Sequence, residues 1–311
     1  MKLAPQARSV RALELPMLRP PRYDWRIARQ GRRQPTVREC RPYRPRPHPR
    51  WSPPSRARSS TALAGCVEPI EARLRADPNL GHTRINFNYG NVFETSAALC
   101  DKPGRQQYCE GANEIFWRRW LVVNVYVTDF QFQPIEAVFV DEHGRERTYY
   151  WDVGVEFVDG SIAFGEIKAN RAFFNMAQIR VVVEGSAVAL AEEGIAFVRL
   201  MGTDFDEITK QTIKRVFDNQ MTTYTARDVS AATDAIMAGH GSVTLGQAIT
   251  AIGGHRWEAE AKLCSMMTDR RIMIDIDLPF TDDCTAVRLP PEAVNPGALR
   301  RFMARFAKPE Q

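Results

Sequence analysis

The stretch 148–168, TYYWDVGVEFVDGSIAFGEIK, constrains the chain more than any other. Two runs rich in β-branched and aromatic residues, 148–158 and 162–168, flank the turn signal Asp159-Gly160. They read as a hairpin, and strand alternation then assigns every side chain to a face. Glu166 and Lys168 are two apart and share one. The parity of the loop decides whether Asp152 joins them. A two-residue loop pairs 152 with 167 and sends Asp152 to the opposite face. A three-residue loop, Asp159-Gly160-Ser161, pairs 152 with 168 and 154 with 166, and the three polar groups converge. The apolar pattern selects the second register. Trp151, Val153, Val155 and Phe157 then face a core together with Ala163, Gly165 and Ile167, large opposite small. Asp152, Glu156, Glu166 and Lys168 share the other face. A three-residue loop or a bulge is therefore expected.

Two carboxylates on adjacent strands offer the hard oxygen ligands that Mg²⁺ or Mn²⁺ takes. Such an ion polarises a phosphodiester and generates hydroxide from bound water. Lys168 would orient that water or stabilise the transition state, with the carbonyl of Ile167 completing the coordination shell. The spacing D-x13-E-x-K also arises on solvated, ion-paired sheet faces. Carboxylates in middle strands followed by an apolar helix are a different matter, because buried charges need partners or a metal.

The flanking pattern supplies the frame. Residues 110–121 read as a helix with Phe116, Trp117, Trp120 and Leu121 on one face, the two tryptophans serving the core. Residues 125–140 read as two short strands broken at Pro134. A long apolar helix follows at 172–193, then a strand at 195–200 and a helix at 204–220. The order α-β-β-β-β-α-β-α implies a mixed sheet with helices packed on it. Upstream, 67–76 reads as a short helix inside an irregular connecting segment, 61–109.

Residues 222–290 form a second, smaller unit, with helices at 226–238, 243–252 and 256–268 and a strand at 272–278. Helix, Gly253-Gly254 turn, helix, strand is the outline of a winged helix-turn-helix. Glu258 and Glu260 in the third helix would repel phosphate, and Arg270 and Arg271 come only at its end. With Asp275, Asp277, Asp282 and Asp283 beyond, the unit reads as a docking surface for a basic protein. Residues 291–311 read as a tail.

Charge is distributed unevenly. Residues 1–60 hold 16 Lys/Arg against 3 Asp/Glu, a net of +13, while the whole chain carries +5. They also hold 11 of the 20 prolines, which remove donors and fix φ. The segment reads as a disordered basic arm: a phosphate-binding tail, a solvated tail or an over-extended gene start. No apolar run approaches the roughly 18 residues of a membrane span. Six scattered cysteines without a CxxC pair argue for a reduced, cytosolic protein, nucleoid-associated when active, with Cys100 and Cys109 as free thiols. His143, His240 and His255 lie in turns and receive no chemistry. Gln178, one turn into the helix after Lys168, reads as an ordinary helical residue.

Asp152 followed by Glu166-x-Lys168 across a hairpin resembles the PD-(D/E)xK nuclease motif, with Trp151 where a proline usually stands. Over residues 110–290 the order of motifs is similar to the TnsA family, the endonuclease subunit of heteromeric cut-and-paste transposases. The similarity rests on Glu114-Ile115-Phe116-Trp117, Phe132-Gln133-Pro134, Tyr149-Tyr150-Trp151-Asp152, the helix and strand of 172–200, and the unit at 243–287. The resemblance implies a restriction-endonuclease-like α/β fold with a winged-helix-like C-terminal domain. It implies Mg²⁺-dependent cleavage of the non-transferred DNA strand, with Mn²⁺ able to substitute, beside a DDE-type transposase and a transposition regulator. By position, Glu114, Asp152 and Glu166 would be metal ligands and Lys168 the catalytic lysine, with Glu110 the alternative helix ligand. A stand-alone restriction or repair nuclease and a non-enzymatic assembly module remain the competing readings. If the basic arm binds DNA, deleting residues 1–60 is expected to weaken binding and flatten its salt dependence; an unchanged salt slope would assign the arm no part in it.

Overall fold

The computed structural model describes residues 70–84, 95–100, 102–140 and 144–307, side chains 70–72, 177, 178, 181, 182 and 186 excepted. The expected basic arm, His143 and the side chain of Gln178 lie outside what is described. The chain divides into two compact units, residues 70–203 with 291–307 and residues 204–290. Both are built from helices and small sheets, a mixed α/β architecture. Among the described residues no helix is long and apolar enough to cross a membrane.

The first unit begins with β1 (Ile70–Ala76), β2 (Thr95–Cys100), β3 (Arg105–Glu110) and α1 (Ala112–Val123). Strands β4 (Val127–Phe132), β5 (Ile135–Val140), β6 (Glu146–Tyr150), β7 (Val153–Phe157) and β8 (Ile162–Lys168) follow. Then come α2 (Arg171–Phe174), α3 (Ala177–Glu192) and β9 (Ala196–Met201). The second unit holds α4 (Glu207–Asp218), α5 (Ala226–Ala238), β10 (Val243–Thr244), α6 (Leu245–Ile252), α7 (Arg256–Thr268), β11 (Met273–Ile274) and β12 (Ala286–Arg288). The chain returns to the first unit for α8 (Ala298–Ala304).

Two strand runs of the first unit each cross from one sheet to another. Strands β4, β7, β8 and β9 form one sheet in that order, and β1, β5 and β6 form a second. The first crossing lies between β4 and β5, where Gln133 takes φ 46° ahead of Pro134, which has no N–H to continue a ladder. The second lies at Trp151–Asp152, between β6 and β7. The Gln133 amide donates to the Asp152 carbonyl at 3.0 Å, so the two crossings are tied to each other.

The hairpin β7–β8 has a three-residue loop, Val158-Asp159-Gly160, closed by Phe157 N–H on the Ser161 carbonyl at 2.9 Å. Gly160 takes φ 79°, and the Asp159 carboxylate accepts from the Ser161 N–H and hydroxyl. The loop starts one residue earlier than expected, so the register slips by two: Val153 faces Gly165 and Val155 faces Ala163. Parity is unchanged, so large still opposes small on the apolar face, and Asp152 and Glu166 still share the other. Strand β9 then adds in parallel beside β8 after the α2–α3 crossover.

Glu156 departs from the expectation of a polar outer face. It is fully buried, and its carboxylate accepts the Gly297 and Leu299 amides at 2.8 Å each and the Thr128 hydroxyl at 3.0 Å. It thereby satisfies donors at the start of α8 that would otherwise lack acceptors. The segment expected as a tail is thus part of the fold. Leu299, Phe302 and Met303 enter a core with Trp151, Phe164 and Leu190, and Phe306 packs against it. These residues recur at i, i+3, i+4 and i+7, a helical stripe.

Segment 61–109 also differs from its reading. Residues 70–76 form a strand paired with β5, where a helix was expected, and β2–β3 is a hairpin. This hairpin binds β4 through side chains: the Phe132 N–H donates to Gln107 Oε1 at 2.9 Å, and Arg105 donates to the Phe130 carbonyl at 3.0 Å. Polar residues do the work of a neighbouring strand, so no apolar alternation marks it. Lys102 donates to the carbonyls of Leu121, Val122 and Asn124 at 2.7–2.9 Å, capping the C-terminal end of α1.

In the second unit, β10, β12 and β11 form a short antiparallel sheet in that order, and the strand expected over 272–278 is reduced to Met273–Ile274. Helices α5 and α6 begin with capping boxes, Thr225 with Asp228 and Thr244 with Gln247. Glu260 is no surface charge. It is buried and ion-paired with Arg215 and with Arg256, the latter at 3.2 Å. Its expected repulsion of phosphate is therefore cancelled within the unit.

Replacing Glu156 with Ala leaves the half-buried Gly297 and buried Leu299 amides without acceptors, and an expected loss of about 2–3 kcal/mol follows. Urea unfolding of the Ala and Gln variants measures it. The Gln variant keeps one acceptor oxygen and should lose less.

Candidate active site

Asp152 sits where the chain leaves one sheet for the other. Its Oδ2 accepts the Ile167 N–H at 2.6 Å, a side chain standing in for the ladder bond that the crossing interrupts. Carrying the β7–β8 register one residue further sets Asp152 opposite Glu166. The Lys168 ammonium lies 3.5 Å from Asp152 Oδ2 and forms an ion pair with Glu166. It also donates to the Ile167 carbonyl at 3.1 Å. The Tyr149 hydroxyl, from the last turn of chain before the crossing, donates to the second oxygen of Glu166.

Glu114 comes from the first turn of α1, where its Oε2 accepts the Glu110 N–H at 2.8 Å. Glu110 itself ends β3 and pairs with Arg84 at 3.1 Å. Of the two candidate helix carboxylates, Glu114 lies on α1 and Glu110 at the end of β3. A cavity of about 430 Å³ is lined by Glu114, Asp152, Glu166, Lys168 and Tyr149, with Arg84, Glu110, Gln133 and Tyr150 among the remaining wall residues.

This cavity holds carboxylates under electrostatic stress. Burial pushes Glu114 up to about 8, and the Asp152 charge adds to the shift against the pull of the Glu110 amide. Burial likewise pushes Glu166 up to about 8, Asp152 again adding to it, despite Lys168 and Tyr149. Asp152 is raised by burial, with Lys168 and the Ile167 amide opposing. Burial works against the Lys168 ammonium, but Asp152 and Glu166 outweigh it and raise its pKa. Two like charges this close cannot both ionise freely, and the carboxylates titrate as a set.

The structure therefore brings Glu114, Asp152, Glu166 and Lys168 to one cavity. Trp117 and Trp120 are buried in edge-to-face contact, as core residues. His240 and His255 belong to the second unit. Cys100 and Cys109 are buried on the β2–β3 hairpin, outside the cavity lining. The sequence reading missed Tyr149 as a site residue. In one continuous strand it would face away from Asp152, and only the crossing at Trp151 turns both toward Glu166.

The donors suit a hard divalent ion in kind: carboxylate oxygens, half-desolvated and mutually repelling. Among the described residues, however, no three His, Cys, Asp or Glu side chains stand together as a metal-ligand cluster. In this arrangement the Lys168 ammonium bridges the two strand carboxylates. Compared with family models and with curated proteins, the chain matches none.

The raised carboxylates link stability to pH. Their folded values near 8 exceed the ordinary 4.5, so the folded state holds protons that the unfolded state has released. That contribution is fully present below pH 4.5 and is lost as pH rises through 8. Metal-free urea unfolding should show stability falling steadily as pH rises from about 5 to about 8. Glu114→Gln should flatten that slope, and an unchanged slope would remove Glu114 from the set.

Proposed function

We propose that the chain is a divalent-metal-dependent DNA endonuclease of PD-(D/E)xK type, resembling the TnsA family and acting within a heteromeric transposition complex. The observation that carries this reading is the meeting of Glu114, Asp152, Glu166 and Lys168 at one cavity, with the carboxylates under more negative charge than their burial tolerates. Sheet order supports it: an antiparallel hairpin at the centre of a mixed sheet carries the motif, as in a restriction-endonuclease-like domain. The three helices α5, α6 and α7 with the small sheet β10-β12-β11 support a winged-helix-like second unit.

Asp152 and Glu166 would hold Mg²⁺ or Mn²⁺, with Glu114 as the third carboxylate. The bound ion would supply Lewis acidity and a nucleophilic water at neutral pH. Each protein group has a distinct part. The Ile167 amide fixes the rotamer of Asp152, and the Tyr149 hydroxyl orients Glu166. Lys168, its pKa raised, remains an ammonium at neutral pH. It therefore acts as a donor to a water or phosphate oxygen and not as the base. DNA is the substrate, and a DDE-type transposase and a regulator are the partners, the latter at the second unit.

Calorimetric titration of the full chain with Mn²⁺ tests the reading without needing a partner. Saturable binding with proton release near neutral pH is expected, because Glu114 and Glu166 must give up their protons. Asp152→Ala should abolish it. No binding, with or without a short DNA duplex, would sink the nuclease reading and favour a non-enzymatic assembly module. Strand cleavage that survives both Asp152→Ala and Lys168→Ala would place the chemistry elsewhere.

A further inference from the structure

The lining of the cavity mixes acidic residues with an arginine and two tyrosines. Four carboxylates, Glu110, Glu114, Asp152 and Glu166, line it and repel a polyanionic substrate. Among the described residues the cations lining the cavity are Lys168 and Arg84. Lys168 is engaged with Asp152 and Glu166. Arg84 pairs with Glu110 at 3.1 Å and lies 5.4 Å over the ring of Tyr150, with its side chain 38% exposed. Tyr150 and Arg84 both line the cavity.

Sheet register extends this lining outward. Across β1, β5 and β6, Arg75 aligns with Glu136 and Tyr150, and Arg73 aligns with Val138 and Thr148. The alternate row, Leu74 with Ala137 and Tyr149, faces the core. Arg73, Arg75, Glu136, Glu146, Thr148 and Tyr150 therefore share the sheet face turned away from that core, two arginines beside two glutamates. Arg75 is half-exposed beside Glu136 at 3.5 Å, and Arg73 and Thr148 are exposed. Charged, planar Arg84 backed by an aromatic ring, with more arginines on the same face, is the chemistry that takes phosphates and bases of a nucleic-acid strand.

We infer that Arg84, supported on Tyr150 and flanked by Arg75 and Arg73, is the subsite that holds the phosphodiester backbone of the DNA strand as it enters the cavity. The inference rests on the nuclease reading and adds to it the side from which the strand arrives. Arg84 neutralises phosphate next to the carboxylates, and Tyr150 keeps the guanidinium in place. Arg75 and Arg73 extend the track along the sheet face.

The test is fluorescence anisotropy with a fluorescein-labelled DNA duplex and the matching single strand, in metal-free buffer across a salt series. The full chain is used, so any contribution of the basic arm is common to every variant. Arg84→Ala should weaken binding several-fold and lower the slope of log K against log salt by about 0.7–0.9, one phosphate contact. Arg84→Lys should keep the slope, since the charge remains. Tyr150→Leu should weaken binding with little change in slope. Asp152→Ala should bind DNA at least as tightly as the unaltered chain, because it removes a negative charge from the cavity.

Wild-type slope and affinity in Arg84→Ala, or no DNA binding by the full chain, would overturn the inference. If Arg84→Ala melts early, Arg75→Ala carries the same slope expectation on the sheet face without touching Glu110. Mn²⁺ binding reports separately on the nuclease reading. A chain that binds Mn²⁺ but shows no slope change in Arg84→Ala and Arg75→Ala retains the nuclease and loses this subsite. A chain that binds no Mn²⁺ yet shows the slope change retains a DNA-binding face and loses the nuclease.

Discussion

The bond from the Gln133 amide to the Asp152 carbonyl ties together the two places where the chain changes sheets. Each crossing breaks a run of strand residues, and each leaves backbone groups that a continuous ladder would have used. The molecule satisfies them locally. Gln133 pairs with Asp152, the Thr83 amide takes the Gln133 carbonyl at 2.9 Å, and the Asp152 carboxylate takes the Ile167 amide. The cavity opens beside this junction because two sheets diverge there. Tyr149 and Asp152, on either side of one crossing, can then reach Glu166 from different directions.

The same junction concentrates charge at an energetic cost. Buried carboxylates raise one another's pKa and destabilise the folded state as they ionise. A fold selected for stability alone would place apolar groups here, as it does a few residues away at Val153, Val155 and Ala163. Lys168 and Tyr149 relieve part of the cost at Glu166. Under the proposed reading, the remaining field is what a divalent cation would neutralise, so the cost of burying these charges and the affinity for an ion have one origin.

Buried polar side chains elsewhere serve architecture. Glu156 lies on the same face of β7 as Asp152, yet it holds the amides at the start of α8 and lines no cavity wall. Gly154, between them, leaves room for this packing, since a Cβ there would meet Phe164, Leu299 and Pro134 at 3.0–3.2 Å. Arg105 and Gln107 bond the backbone of β4. From residue type alone, Glu156 and Glu166 are equivalent: acidic residues in apolar strands. What separates them is which segment, 297–299 or the sheet crossing, comes to lie over each.

Most strand and helix positions between 110 and 268 were legible because their signals are local. Apolar period, the Asp159-Gly160 turn and the loop parity require only neighbours in sequence. Parity placed Asp152, Glu166 and Lys168 on one face even though the register slipped by two, because a slip of two preserves face while a slip of one reverses it. Glu114 joined them only through the family resemblance, since its place at a helix start fits an exposed carboxylate equally well. Long-range partnerships were not legible. β1 is a strand only because β5 lies beside it, the β2–β3 hairpin because its polar side chains meet β4, and α8 belongs to the first unit because Glu156 and a core wait for it. The composition of the candidate site is thus a property of the sequence. Tertiary structure alone decides that its charges share one cavity, that Tyr149 orients Glu166, and that Arg84 lines the same cavity, because burial and contact between residues distant in sequence exist only once the sheets have closed on each other.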